Sequence, residues 1–386
     1  MGIQDAVNYD DLRLAAKKRV PKIMFDFIEG GADDEIGLDR NQQAFRDIAL
    51  VPRYMEDVFV RDQTATMFDR TYASPFGISP TGLAGMFRSG ADLMLAEAAR
   101  DANIPFVMSG SSNASMEDLA MLAPDHGWYQ LYAARDKAIS EDMIRRADAA
   151  GLSTLVLTVD VPVHSNRERN TRNRFARPLN LSLSTKLDAL SYPGWLLEYM
   201  RNGMPMFDNW LPYAGANATT DDVADLVAAQ TAPSLTWDDV ARFRELWPRK
   251  FIIKGIMHPD DAVRCADMGC DGIVVSNHGA RQLDRAPASI EVLPAIAAAV
   301  GDRMTIMLDS GVQRGSDIAT ALCLGADFVF VGRATLYGVT AAGILGATKA
   351  IEILQRELDL ILGQIGAPDI AALGEEFIFK PQPRNY

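Results

Sequence analysis

Eight short apolar runs recur along the chain with amphipathic segments between them, and this alternation limits the fold more than any other feature. The runs are 76–80, 104–109, 128–132, 154–160, 251–256, 272–277, 304–309 and 327–332. Several are unbroken, such as Leu155-Val156-Leu157 and Phe328-Val329-Phe330-Val331, as strands covered on both faces require. Between them, segments such as 90–103, 140–151 and 289–300 repeat apolar residues at helical spacing. Eight βα units predict an α/β fold, the (β/α)8 TIM barrel. A doubly wound sheet of about six or seven strands is the alternative the same runs leave open.

The spacing assigns 1–70 to an N-terminal helical segment, 71–160 and 251–340 to the barrel, and 341–386 to a C-terminal helix and tail, all in one domain. It breaks once. Residues 161–250, about 90 in number, are far too many for one βα loop. They predict an insertion after strand 4, on the face where barrels keep their active sites. It opens with a basic run (Arg167, Arg169, Arg172, Arg174, Arg177) and continues into an aromatic and methionine-rich stretch, 192–213.

Charge and cysteines remove several function classes. With 38 basic and 51 acidic residues the net charge is −13, which argues against nucleic acid as a partner. Cys265, Cys270 and Cys323 are too few and irregular for a disulfide framework, and no CxxC or His pair accompanies them to suggest a metal site. No run of about 18 apolar residues suggests a spanning helix. The expected location is the cytoplasm.

In a barrel all eight strand ends open into one mouth, and here they are polar: Pro80-Thr81-Gly82, Ser109, Gln130-Leu131-Tyr132, Thr158-Val159-Asp160, Lys254-Gly255, Ser276-Asn277-His278, Asp309-Ser310-Gly311 and Gly332-Arg333. The last two, with Arg314, have the make-up of a phosphate site, because glycines admit backbone N–H groups to an anion and arginine binds phosphate through two donors. Tight turns with surface arginines would read the same way. His278, with Asp160 to orient it, is the expected base. Arg281 could hold a substrate carboxylate, and His164, just after strand 4, could line the pocket. Lys254 would set a cation beside an electron-rich ring or serve as a Schiff-base amine.

The string Ser276-Asn277-His278-Gly279-Ala280-Arg281-Gln282-Leu283-Asp284 resembles the signature of the FMN-dependent α-hydroxy-acid dehydrogenase/oxidase family. VPKIMFDFIEGGADDE (20–35), QLY (130–132), LTVDVP (157–162), IKG (253–255) and GRATLYG (332–338) extend the likeness over nearly the whole chain. The long insertion points to the mandelate and lactate dehydrogenase branch. The resemblance implies FMN, a small (S)-2-hydroxy-acid substrate of aromatic or bulky kind, quinone as electron acceptor, and a homotetramer. His278 would be the base, paired with Asp160; Arg281 and Arg167 would hold the carboxylate; Tyr132 would bond near the reacting hydroxyl; Lys254 would stabilise the reduced ring. Ser109, Gln130, Thr158 and the 80–82 backbone would contact the flavin ring, and Ser276 would lie against it. Asp309, Gly311, Arg314, Gly332 and Arg333 would hold the ribityl phosphate.

Several positions depart from the family pattern. Phe27 stands where relatives carry a carboxylate-binding tyrosine, Gln313 where they carry a phosphate-binding arginine, and Ser111 where glycolate oxidases carry tryptophan. Gly82 replaces the alanine typical of oxidases, which favours a dehydrogenase over the alternative, an oxidase forming H2O2. The stretch 192–213 suggests docking on a membrane surface through Trp195, Leu196, Leu197, Tyr199, Met200, Met204, Met206, Phe207, Trp210 and Tyr213. A cover over the active site or a subunit contact is the other reading. A Lys254 aldolase and a barrel that only binds a phosphorylated ligand are the alternatives from other classes.

Overall fold

The computed structural model describes residues 2–175, 182–231 and 235–380. Arg177 and the end of the expected tail, 381–386, lie outside the described residues. A short hairpin, β1 (Ala65–Met67) and β2 (Arg70–Tyr72), precedes eight parallel strands: β3 (Phe76–Ile78), β4 (Phe106–Met108), β5 (Gly127–Leu131), β6 (Thr154–Thr158), β7 (Lys250–Ile256), β8 (Gly272–Val275), β9 (Thr305–Leu308) and β10 (Phe328–Val331). Each of the eight pairs with the next, and β10 closes on β3 through Val329↔Phe76, Phe330↔Gly77 and Val331↔Ile78. The fold is the closed (β/α)8 barrel, not the doubly wound sheet.

The strand period of two explains why the runs are continuous. Val107, Trp128, Val156, Ile252, Val274, Met307, Phe328 and Phe330 point inward and fill the barrel. The alternate residues, among them Leu155, Leu157, Ile253, Ile273, Leu308 and Val331, point outward into the layer beneath the helices. The hairpin plugs the lower end of the interior with Ala65, Met67 and Tyr72. Residues 1–70 are therefore not wholly helical and irregular, as the sequence suggested: after helices at Tyr9–Arg19, Lys22–Glu29 and Ile36–Arg46 comes this small strand pair.

Two further expectations need correction. The helix Trp237–Leu246 lies within the span assigned to the insertion, yet it leads directly into β7 and packs beside Lys137–Ala149, the helix after β5. It is the barrel's own helix between β6 and β7. Within the aromatic stretch, Trp195, Phe207 and Trp210 are buried in the main core rather than displayed on a surface. Trp195 Nε1 donates to Met86 O at 3.0 Å and Trp210 Nε1 to Gly110 O at 2.9 Å. A buried indole needs such a partner, and these two pin the insertion onto the loops after β3 and β4.

Candidate active site

The inward register that fills the barrel below also sets what appears at its mouth. Two residues above Trp128, Val156, Ile252, Val274, Met307 and Phe330 come Gln130, Thr158, Lys254, Ser276, Asp309 and Gly332, still pointing inward by the period of two. One step further come Tyr132, Asp160 and His278. Of these, Tyr132, Thr158, Lys254, His278, Asp309 and Gly332 border a cavity of about 820 Å³, well within the range of ligand sites, while Gln130, Asp160 and Ser276 stand just behind its wall.

His278 Nδ1 lies 2.8 Å from Asp160 Oδ1, and its Nε2 lies 3.3 Å from the Tyr132 hydroxyl. The carboxylate thus fixes the ring and leaves Nε2 directed at the cavity beside a phenol. Burial first, and then the Asp160 charge, push the Tyr132 pKa up to about 12, so its proton stays on. Gly255 makes room for this pair. Its φ is +103°, and a Cβ there would meet the Asp160 Cβ and Cγ at 2.6 Å. Residues 278–280 all have positive φ, of 57°, 62° and 59°. Their N–H groups are bound in turn by Ser276 Oγ, Ser310 Oγ and Asn277 Oδ1.

Three arginines converge on one side of the cavity. Arg281 Nη1 donates to the carbonyls of Phe27 and Gly30, both at 2.7 Å, and its Cζ sits 4.9 Å over the Phe27 ring. Arg167 donates to Ser165 Oγ, Arg281 O and Gln282 Oε1. Arg333 donates to the carbonyls of Ile28, Gly30 and Gly279. None of the three has a carboxylate partner among the described residues. Burial, and then the Arg167 and Arg333 charges, hold the Arg281 pKa well below the usual arginine range. A buried guanidinium cluster with no counter-charge calls for an anion. Phe27 forms an apolar wall beside it, 4.7 Å from Phe175 and 5.8 Å from Phe87 between ring centres. Gly82, Ser111 and the exposed His164 also border the cavity.

Lys254 forms the floor. Its Nζ is 3.0 Å from Asp309 Oδ2 and 2.9 Å from Ser276 Oγ, and Ser79 Oγ donates to the same Asp309 oxygen. Burial alone would lower the Lys254 pKa, but the Asp309 and Asp160 charges raise it above the usual value. A Schiff-base amine must be neutral to attack, so this ion pair disfavours the aldolase reading.

The donor set fits a flavin. Gln130 Nε2 and Thr158 Oγ1 are buried without any hydrogen-bond partner, a costly state for groups that no ligand meets. Gln130 Oε1 is already taken, by Ser109 Oγ and Gly110 N–H, which leaves the amide N–H2 for an acceptor. This donor set would suit a planar heterocycle with carbonyl and imine edges, which Pro80, Thr81, Gly82 and Lys254 on the cavity wall would help to hold. At the far end, Gly311 (φ +86°), Gly332 and Arg333 line the cavity where barrels commonly hold phosphate.

Two sequence assignments change. Arg314 is half-exposed and paired with Glu357 at 2.8 Å, away from this cavity, because the chain turns into a helix at Gly315 and carries its side chain outward. Ser276 is fully buried, with its hydroxyl occupied between Lys254 and the His278 N–H, and it forms no part of the cavity wall. Sequence reasoning missed Ser79 and gave Ser310, though named at its strand end, no role. A serine beside a catalytic strand end carries no signal until its hydrogen bonds are seen.

Comparison with known proteins agrees with this chemistry. The chain is 40% identical to (S)-mandelate dehydrogenase of Pseudomonas putida over 97% of its own length and 94% of the relative's. It is 37% identical to L-lactate dehydrogenase of Caulobacter vibrioides (strain NA1000 / CB15N), over 97% and 98% respectively. Its fold superposes on a crystal structure described as the monotopic membrane protein (S)-mandelate dehydrogenase, with a TM-score of 0.94 and 39% identity, covering 98% of this chain and all of that one. Residues 16–380 match the family model for FMN-dependent dehydrogenase. On a family match over nearly the whole length and relatives of 37–40% identity, the chain belongs to the FMN-dependent dehydrogenase family.

Proposed function

We propose that this flavoenzyme oxidises an (S)-2-hydroxy acid with an aromatic or bulky side chain to the 2-oxo acid and passes the electrons to a quinone. The observation that carries this reading is the placing of His278 Nε2, Tyr132 Oη and the uncompensated Arg281–Arg167 pair around one cavity. The arginines bind the carboxylate. That leaves the neighbouring hydroxyl within reach of Tyr132, which donates to it, and of His278 Nε2, which takes a proton. Asp160 then faces an imidazolium and stabilises it. FMN, when bound, supplies the two-electron acceptor for the oxidation.

Phe27, Leu83, Val161, Phe207 and Val227 on the cavity wall would surround the substrate's side chain, and the likeness to (S)-mandelate dehydrogenase supports the S configuration. We expect anaerobic reduction of the flavin by (S)-mandelate to exceed that by its R isomer and by glycolate by at least about 100-fold. A quinone analogue should then reoxidise the flavin, and air-saturated buffer should not. Equal rates for both isomers would refute the substrate reading, and rapid reoxidation by air would replace the dehydrogenase with an oxidase.

The membrane reading keeps Leu197 and Met200 of the residues first expected to carry it and adds three leucines. Leu183, Leu187 and Leu190 project from one face of the helix Leu183–Leu190, and Leu197 and Met200 from the next helix, Pro193–Asn202; all five are more than half exposed. The two helices pack together, so these side chains offer an interfacial apolar ridge. No helix among the described residues is long and apolar enough to cross a membrane. Such a ridge suits peripheral attachment to the inner face of the cytoplasmic membrane, where quinone is dissolved. Leu187→Asp with Met200→Asp should release the protein from phospholipid vesicles while its flavin reduction stays unchanged. Undiminished vesicle binding would exclude this ridge. A homotetramer belongs to the same proposal and is tested by light scattering.

A further inference from the structure

The phosphate end of the cavity is short of charge, and the shortage identifies a residue that neither the signature nor the strand ends point to. A flavin phosphate is close to dianionic at neutral pH. The helix starting at Gly315 would ordinarily help to hold it, but most of the donors at and just before its start are spent on the protein's own carboxylates. The N–H groups of Gln313 and Arg314 both donate to Asp317 Oδ2, at 2.8 and 2.9 Å, and that of Gly315 donates to Glu357 Oε2 at 2.8 Å. The Arg314 guanidinium is held outward by Glu357, and Gln313, which does face the cavity, is neutral. Arg333 directs its guanidinium to three backbone carbonyls. Among the described residues, the backbone N–H groups left unengaged at this end, those of Gly311, Val312, Gly332 and Arg333 among them, are neutral donors and bring no full positive charge.

Arg46 stands at this point. It is the last residue of the helix Ile36–Arg46, which packs so closely on the loop after β9 that a Cβ on Gly311 would meet Asn41 O at 2.7 Å and the Phe45 ring at 3.1 Å. Arg46 borders the main cavity and also the smaller one adjoining it, and Gly311 and Gln313 border both as well. Its side chain is exposed and makes no hydrogen bond or ion pair among the described residues. Asp10, the carboxylate that shares both cavities, is not within ion-pair distance of it. Arg13, also on the wall, is committed to Glu29 at 2.7 and 3.0 Å.

We propose that Arg46, reaching in from the N-terminal helical segment, supplies the cation that pairs with the phosphate of the bound flavin, in the place that neutral Gln313 leaves uncharged. This rests on the FMN reading of the cavity and concerns only how its phosphate is held. The N-terminal segment, outside the barrel proper, thereby becomes part of the cofactor site.

The test compares flavins with and without the phosphate. Holoenzyme is dialysed to equilibrium, and free and bound flavin are measured for FMN and, after exchange, for riboflavin. In Arg46→Ala the dissociation constant for FMN should rise about tenfold at low salt while that for riboflavin stays constant. The rise should shrink in about 1 M salt, where an exposed pair is screened. Arg46→Lys should keep most of the affinity, and adding Gln313→Arg to Arg46→Ala should restore it. An unchanged FMN constant in Arg46→Ala overturns the proposal. So does an equal loss for FMN and riboflavin, since that marks a general disturbance of the helix. A wild-type protein that holds riboflavin as tightly as FMN overturns instead the placing of the phosphate at this end.

Discussion

Replacing His278 with alanine should slow flavin reduction by a 2-hydroxy acid about 10³- to 10⁴-fold and leave FMN bound. The size is that of losing a positioned general base; the retention of cofactor follows from how the loop is held. Residues 278–280 occupy the left-handed region, a conformation that costs on the order of 1–3 kcal/mol at each non-glycine position. The hydroxyls of Ser276 and Ser310 and the Asn277 side chain hold it, and none of these contacts uses the imidazole. Asn277 is itself locked by reciprocal amide bonds to Asn41, at 2.7 and 3.0 Å. The alanine variant should therefore keep the loop, the flavin spectrum and the wild-type FMN affinity, and lose only the proton acceptor. Asp160→Asn should cost less, because the ring remains and loses only its orienting charge. Stopped-flow reduction within tenfold of wild type in His278→Ala would remove this histidine from the chemistry.

What the sequence revealed and what it hid follow from the same geometry. The eight strands were legible because both their faces are buried. The site was legible because the inward positions switch from apolar to polar at a single level, from Trp128 to Gln130 or from Ile252 to Lys254. The hairpin was not legible. Its strands are three residues each, and its two turn residues are Phe68 and Asp69, with φ of 50° and 66°; such a turn normally announces itself with Asn-Gly or Gly-Gly. Composition placed Trp195, Phe207 and Trp210 in an aromatic-rich segment but could not tell inside from outside. That depends on carbonyl partners at Met86 and Gly110, about 100 residues away. Gln313 and Arg314 are neighbours in sequence, yet they face opposite sides once a helix begins, so the charged residue looked like the ligand and the neutral one lines the cavity. Arg46 could not be found from local pattern at all, because only the packing of its helix on Gly311 brings it to the site.

Lys254→Met should be the most destabilising of the single substitutions considered, by roughly 3–5 kcal/mol, and most of the loss should return in the double variant with Asp309→Asn. Removing one partner of a buried ion pair leaves the other charge uncompensated, whereas removing both is often nearly neutral. Lys254 and Asp309 are about 5% exposed and sit 3.0 Å apart, which places the pair in that regime. In the intact pair the Asp309 pKa lies below its ordinary value, through Lys254 and the hydroxyls of Ser276 and Ser79 acting against burial, and the Lys254 pKa lies above its own. The stability from Asp309 is present above the unfolded carboxylate range and is lost as pH falls through its lowered folded pKa. That from Lys254 is complete below the unfolded lysine value and is lost as pH rises through its raised one. Across neutral pH both are fully present, so the wild type should show no pH slope from this pair. In Lys254→Met the burial of Asp309 acts with no lysine to oppose it, and its pKa is driven upward. A carboxyl raised in the fold gains stability on acidification, so the deficit of the single variant should narrow between about pH 8 and pH 5. The double variant should show no such slope. Its restored stability should not bring back flavin reduction, since the cation that would stabilise the reduced flavin is still missing. Denaturant midpoints measured across that pH range decide the matter: a Lys254→Met protein as stable as wild type, or a deficit that Asp309→Asn deepens, would mean that the two charges do not depend on one another.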